Sequence, residues 1–216
     1  MEIIRKAGIF MATDFKQSET MKNLMRAFAG ESQARNRYTF GASQARKQGL
    51  YVIEQVFTFT ADQEREHAEV FYNQLQELAG ETIHIDGGYP VDLSPNVADL
   101  LKMAQHNEYE EHDDVYKHFG DVAQEEGFGK AAARFHMIAE IEKLHGDRFG
   151  AFAKLLEDNQ LFVSKVETRW MCLNCGYIYE GTEAPNQCPV CDHERGWFVR
   201  MELAPFCRDG NYENLS

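Results

Sequence analysis

Glu142-Lys143-Leu144-His145 lies within Phe135-His136-Met137-Ile138-Ala139-Glu140-Ile141-Glu142-Lys143-Leu144-His145-Gly146-Asp147-Arg148-Phe149, and it puts two ionisable side chains where a helix calls for apolar ones. On a helix, Ala131, Phe135, Ile138, Glu142, His145, Phe149 and Phe152 fall on one stripe. A carboxylate and an imidazole one turn apart therefore interrupt a core-facing seam. Burying an ionised carboxylate without a partner costs several kcal/mol. Either the pair satisfies itself or a cation joins it.

Three other segments carry the same irregularity. A helix from about Ser18 to Lys47, closed by Gly49, has the stripe Leu24, Ala27, Glu31, Ala34, Tyr38, Ala42 and Ala45. A second, from about Leu50 to Leu78 and closed by Gly80, has Ile53, Phe57, Thr60, Glu64, His67, Phe71, Leu75 and Leu78. Glu64-Arg65-Glu66-His67 repeats the Glu-x-x-His spacing, while Glu66 and Glu69 fall off the face. Residues 80–93, with Gly87, Gly88 and Pro90, break the pattern at a length that suits a crossover along a bundle better than a tight turn. Ser94 as N-cap and Pro95 at the first helical position are expected to start a third helix. Its stripe is Val97, Leu101, Ala104, Glu108, Glu111, Val115, Phe119 and Val122. Gly127 and Gly129 separate it from a fourth, about Lys130 to Asp158.

The helices form two similar halves. Glu31 to Glu64 spans 33 positions and Glu108 to Glu142 spans 34, each second Glu being followed three residues later by a His, His67 or His145. A four-helix bundle would bring four Glu and two His to one level, the ligand set of a carboxylate-bridged two-metal site. Carboxylates can bridge two metals, and one imidazole per metal suits iron or manganese better than calcium. By the repeat, Glu64 and Glu142 are the bridges. Glu111 has no counterpart, since Ala34 holds the equivalent place. Five Glu then bring −5 to two metals carrying +4 when diferrous and +6 when diferric, and Glu111 and His67 are expected to compete for one of them. Tyr38 and Tyr116 could each bond a ligand carboxylate or a backbone group.

The five cysteines all follow residue 171. Cys172-Leu173-Asn174-Cys175 and Cys188-Pro189-Val190-Cys191 are two knuckles that together give tetrahedral sulfur coordination, of zinc or of a single iron. Trp170, Tyr177, Tyr179, Trp197 and Phe198 supply a small aromatic core, and Cys207 stands outside the pattern. The expected organisation is an N-terminal extension over 1–17, an all-α four-helix bundle over 18–160, and a small, mostly irregular or β metal-bound domain over 168–216. A net charge of −13 argues against nucleic-acid or anionic-membrane partners. No run approaches the roughly 18 apolar residues of a membrane span, and the first residues do not read as a signal peptide, so a cytoplasmic protein is expected.

Ala29-Gly30-Glu31-Ser32-Gln33-Ala34-Arg35-Asn36-Arg37-Tyr38, Glu64-Arg65-Glu66-His67, Glu125-Glu126-Gly127-Phe128 and the two knuckles resemble the rubrerythrin family, a likeness that covers about residues 20–200. The resemblance implies a ferritin-like di-iron domain followed by a rubredoxin-like iron domain, three irons per chain, and reduction of hydrogen peroxide to water. It implies that Glu31, Glu64, His67, Glu108, Glu111, Glu142 and His145 hold two irons and do the catalysis, and that Cys172, Cys175, Cys188 and Cys191 hold the third, with an iron that moves between a His and a Glu. An external redox protein would supply electrons. Glu142 precedes Asp158 by 16 residues. At about 1.5 Å per residue, the helix end is roughly 24 Å from the ligand level, so a head-to-tail homodimer is expected to bring one chain's cysteines to its partner's cluster. The competing expectation is an iron-oxidising or iron-storing protein with zinc in the cysteine module.

Overall fold

The structure, a computed structural model, describes residues 13–205; Cys207 and most of the N-terminal extension lie outside them. Helix α1 (Glu19–Lys47) starts where the Ser18 hydroxyl accepts from the Met21 amide. The Glu126 carboxylate, from the far end of the third helix, also accepts from the Glu19 and Thr20 amides, an acid placed at a positive helix terminus. Gly49, at φ +69°, reverses the chain into α2 (Tyr51–Asn73). A 3-10 turn, Gln76–Leu78, then lets Leu75 and Leu78 finish the seam after α2 has ended.

The segment between α2 and α3 has no regular structure and runs along α1 in the direction of that helix. Arg26 bonds Asp86, Tyr89 donates to the Arg26 carbonyl, Arg37 pairs with Asp92, and Gln44 and Gln48 both donate to the Pro95 carbonyl. This is the expected crossover, and it makes α2 and α3 parallel. Helix α3 (Val97–Glu110) begins two residues later than Ser94-Pro95 suggests. Asn96 is the cap and accepts from the Ala98 amide, while the Ser94 hydroxyl accepts from the Asn96 amide and so braces the cap.

The larger correction lies at Glu111–Val115, which forms a π turn between α3 and α4 (Tyr116–Glu125). One residue more than an α-helical turn needs advances the register by one. The buried positions are therefore Val97, Leu101, Ala104, Asn107 and Glu108, then Tyr116, Gly120 and Ala123. Val115, Phe119 and Val122, expected on the seam, sit half-buried at its flank. Helix α5 (Gly129–Glu157) buries the whole opening stripe, Ala131 to Phe152.

Beyond α5 the chain forms a three-stranded antiparallel sheet in the order β2-β1-β3, from β1 (Val163–Cys172), β2 (Ile178–Glu183) and β3 (Phe198–Arg200). Trp170, Cys172, Ala184, Cys188 and Phe198 are its core. The sheet docks on the end of the bundle where α1 turns into α2: Met171, Val199 and Met201 join the cluster of Ile53, Phe57, Leu101 and Phe152. Tyr51 stacks on Trp197 at 4.8 Å between centroids. Within the bundle, that cluster and a second around Leu24, Phe71, Tyr116 and Phe135 lie on either side of one polar layer. Among the described residues no helix is long and apolar enough to cross a membrane.

Candidate metal centre

The polar layer collects Glu31 from α1, Glu64 and His67 from α2, Glu108 from α3, and Glu142 and His145 from α5, all with at most 7 % of their surface exposed. His67 Nδ1 lies 3.2 Å from Glu64 Oε2, 3.0 Å from Glu142 Oε1 and 3.8 Å from Glu31 Oε2. His145 Nδ1 lies 2.9 Å from Glu64 Oε1, 2.9 Å from Glu142 Oε2 and 3.7 Å from Glu108 Oε2. Glu64 and Glu142 thus each turn one oxygen to either imidazole, while Glu31 and Glu108 serve one side each. The two rings are nearly parallel, 5.5 Å apart. The geometry is that of two adjoining metal positions spanned by two carboxylates.

Hydrogen bonding does not account for this packing. Both Glu64 oxygens, both Glu142 oxygens, Glu31 Oε2, Glu108 Oε2 and both histidine Nδ1 atoms are buried without a well-directed partner. Groups that crowd together without pointing at one another are aimed at shared points between them, and buried polar atoms seldom go unsatisfied. The donor set, hard oxygens with one nitrogen on each side, fits a pair of iron or manganese ions. Burial, then Glu142 and Glu64, push the Glu31 carboxyl up. Burial and Glu64 do the same to Glu108. Burial alone would raise Glu64 too, but contact with the two imidazoles takes it down to about 2. Burial disfavours charged imidazoles, yet the carboxylates beside them hold His67 at about 10 and His145 at about 12. A metal pair bound in this layer would take the place of the imidazole protons.

Glu111, at the first position of the π turn, is half-buried and comes close to Glu31 and Glu142, on the His67 side of the layer. Its carboxyl is pushed up by burial and by Glu108, Glu142 and Glu64, and eased down by Arg37. The two tyrosines bond across the repeat. Tyr116 donates to Glu31 Oε1 at 2.5 Å, and Tyr38 donates to Glu108 Oε1. Each half of the chain thereby orients the terminal carboxylate of the other.

Two arginines escape the seam pattern. Arg148, one turn after His145, donates to Thr60 Oγ1 at 2.9 Å and Gln63 Oε1 at 3.0 Å and lies over the Phe59 ring. No carboxylate pairs with it directly among the described residues, and Glu108 and Glu64 act on it through space. Its place at i+3 from a seam histidine was the only signal in the sequence. Arg37, beside Tyr38, carried none.

The four cysteines converge as their spacing predicts. Cys172 Sγ is 3.8 Å from Cys191 Sγ, and Cys175 Sγ is 3.6 Å from Cys188 Sγ. A tetrahedron with metal–sulfur bonds of about 2.3 Å has edges of about 3.8 Å. The thiols remain unpaired rather than forming disulfides. Gly176 and Asp192, at φ +79° and +58°, follow the second cysteine of each knuckle. The His193 amide beside Cys191 brings that thiol down to about 6, whereas burial pushes Cys172 up to about 12.

A bundle with one long crossover and a carboxylate–histidine layer, followed by a thiolate tetrahedron on a small sheet, defines a ferritin-like two-metal protein with a rubredoxin-like module. The chain belongs to the rubrerythrin family: the family model described as Rubrerythrin matches residues 22–153, and the one described as Rubrerythrin, rubredoxin-like domain, matches 170–199. It is 45 % identical over 184 residues to rubrerythrin of Clostridium perfringens, covering 85 % of this chain and 94 % of that one. It is 40 % identical over 188 residues to rubrerythrin of Nitratidesulfovibrio vulgaris, covering 87 % and 97 %. The solved structure of nigerythrin in its fully reduced, all-ferrous state superposes with a TM-score of 0.57 at 28 % identity, over 93 % of this chain and 100 % of that one.

Proposed function

We propose that the protein is a non-haem di-iron peroxidase that reduces hydrogen peroxide to water in the cytoplasm. Its rubredoxin-like module, with one further iron on Cys172, Cys175, Cys188 and Cys191, returns electrons from an external redox protein. One observation carries this reading: a carboxylate cluster with one ligand more than the symmetric set shares a chain with a four-thiolate site. Storage or scaffolding would not need the spare ligand, and would need the thiolates only to hold a structural metal.

Glu31, Glu64, Glu142 and His67 would hold one iron, and Glu108, Glu64, Glu142 and His145 the other, with Glu111 and His67 alternating on the first. Reduction of one peroxide to two waters consumes two electrons and two protons, and the bound iron pair supplies one electron from each metal. The protein's own part is positional. Tyr116 and Tyr38 fix Glu31 and Glu108, and the two apolar clusters flank the layer on either side. The cysteine module docks beside Gly49 and Tyr51, at the end of the bundle far from Glu142, which supports a head-to-tail homodimer as the electron route.

Stopped-flow oxidation of the reduced, iron-loaded protein tests this reading. Peroxide is expected to oxidise the cluster much faster than oxygen does, and equal rates would refute the peroxidase. The second reading, an iron-oxidising or iron-storing protein with structural zinc, draws on the thiolate tetrahedron, which accepts zinc as readily as iron. One zinc per chain, without ferric-thiolate absorption, would favour it.

A further inference from the structure

We infer that the cavity between α1, the crossover and the π turn is the passage by which ferrous ions enter the ligand layer, with Glu110 and Asp114 at its mouth to collect them. This rests on the two-metal reading of the layer and deepens it by naming the route of loading.

The cavity measures about 630 Å³, and Glu111 and Tyr116 share its wall with Glu110, Asp114 and His118. The last three are exposed and mark its mouth, whereas Tyr116 is buried and marks its floor. The inner end meets the layer. Glu111 brings a carboxylate oxygen within 4.8 Å of oxygens of Glu31 and Glu142, and Tyr116 donates to Glu31 Oε1. There Glu31 Oε2 and both Glu142 oxygens are buried without a partner, on residues that are 0 % exposed. Buried carboxylates so placed call for a cation, and the cavity is the space that leads to them from solvent.

Charge along the passage favours a cation. Besides Glu111, the wall carries Glu19, Asp86, Glu110 and Asp114 against the guanidiniums of Arg26 and Arg37. Both guanidiniums are engaged by acids: Arg26 bonds Glu19 and Asp86, and Arg37 pairs with Asp92 at 3.4 Å. The wall formed by the π turn and its flanks has no such balance. Glu110 faces the His106 imidazole at 3.5 Å, and no basic side chain pairs with Asp114 among the described residues. Their carboxylates, with the His118 imidazole on the same wall, are donors of the kind that ferrous iron takes. A cleft lined by one sign of charge raises the local concentration and the entry rate of its counter-ion. Groups this exposed hold an ion weakly, as a passage requires.

Anaerobic loading of the metal-free protein tests the inference. Ferrous ions are mixed with the apoprotein, excess chelator is added after varied delays, and the iron it fails to strip is counted against time. Iron in the cysteine module is counted separately by its thiolate absorption. The wild type is expected to take two irons into the layer. The double variant Glu110→Gln, Asp114→Asn should reach the same endpoint about tenfold more slowly at low salt, and the gap should narrow as salt is added. Asp114→Lys should slow loading further. Asp113→Asn removes the same charge from the same turn but not from the cavity wall, so it should load like the wild type. All three positions are exposed, so the substitutions leave the core intact. A double variant that loads at the wild-type rate, or equal slowing by Asp113→Asn, overturns the route. A wild-type layer that takes up no iron overturns the two-metal reading and the route with it, whereas full wild-type loading with those rates overturns the route alone.

Discussion

Replacing Tyr116 by Phe removes one oxygen and leaves the packing intact. The ring touches Phe71, Phe119 and Phe135 and is 1 % exposed, and these contacts survive the change. What disappears is the 2.5 Å bond to Glu31 Oε1, the other oxygen of that carboxylate being already without a protein donor. A hydrogen bond to a buried charged group is worth about 1.5–3 kcal/mol. For a chain of this size about 1 kcal/mol moves the melting temperature by roughly 2–4 °C, so in the iron-loaded protein, where Glu31 is a carboxylate, Tyr116→Phe should lower it by about 3–12 °C. Partners that orient a metal ligand typically contribute about 10–100-fold in metal affinity or activity. Chelator competition on the iron-loaded variant should therefore show weaker iron retention in that range, and Tyr38→Phe should act alike through Glu108. A melting temperature within about 1 °C of wild type, with iron retention unchanged, would refute the claim that the tyrosines orient the ligands across the repeat.

Other outcomes follow from the same geometry. Glu64→Gln and Glu142→Gln should each disturb both metal positions, while Glu31→Gln should disturb chiefly the one beside His67; metal content per chain by mass spectrometry separates the two patterns. Gly196→Ala would put a Cβ 1.8 Å from the Gly49 carbonyl oxygen, which the cap of α1 fixes through Gly49 and Leu50 amide bonds to Arg46 and Ala45. It should loosen the module from the bundle and break the Tyr51–Trp197 stack, seen as altered near-ultraviolet dichroism and a stability loss of about 3 kcal/mol. In the metal-free protein, His67 and His145 have folded-state values raised to about 10 and 12, so their contribution is complete below about pH 6.5 and is lost as pH rises through those values. Urea titrations of the apoprotein from pH 7 to 10 should show declining stability, and a flat profile would contradict it.

The ligand layer was readable because a charged residue on an apolar seam is conspicuous, and because the two halves repeat it. Glu31, Glu64, His67, Glu108, Glu142 and His145 stand out for that reason, as do the paired knuckles. The π turn was not readable. Glu111-His112-Asp113-Asp114-Val115 holds no glycine or proline, and the wide turn arises because Glu111 and Tyr116 must both reach the layer from one helix, a tertiary demand. For the same reason the seam after Glu111 slips from Val115, Phe119 and Val122 to Tyr116, Gly120 and Ala123. The tyrosine hydroxyls could be placed near carboxylates, but only the packing of α1 against the third helix decides that each serves the opposite half. The start of α3 was misplaced because Ser94-Pro95 and Asn96 offer successive caps, and the side chain that reaches the helix amide is that of Asn96.

The most direct test of the two-metal account is a crystal structure of the iron-loaded protein with anomalous data collected across the iron edge. Two iron peaks in the carboxylate layer, both contacted by Glu64 and Glu142, with a third among Cys172, Cys175, Cys188 and Cys191, are the predicted result. A single peak in the layer, or none with the carboxylates bonded to one another, would contradict it.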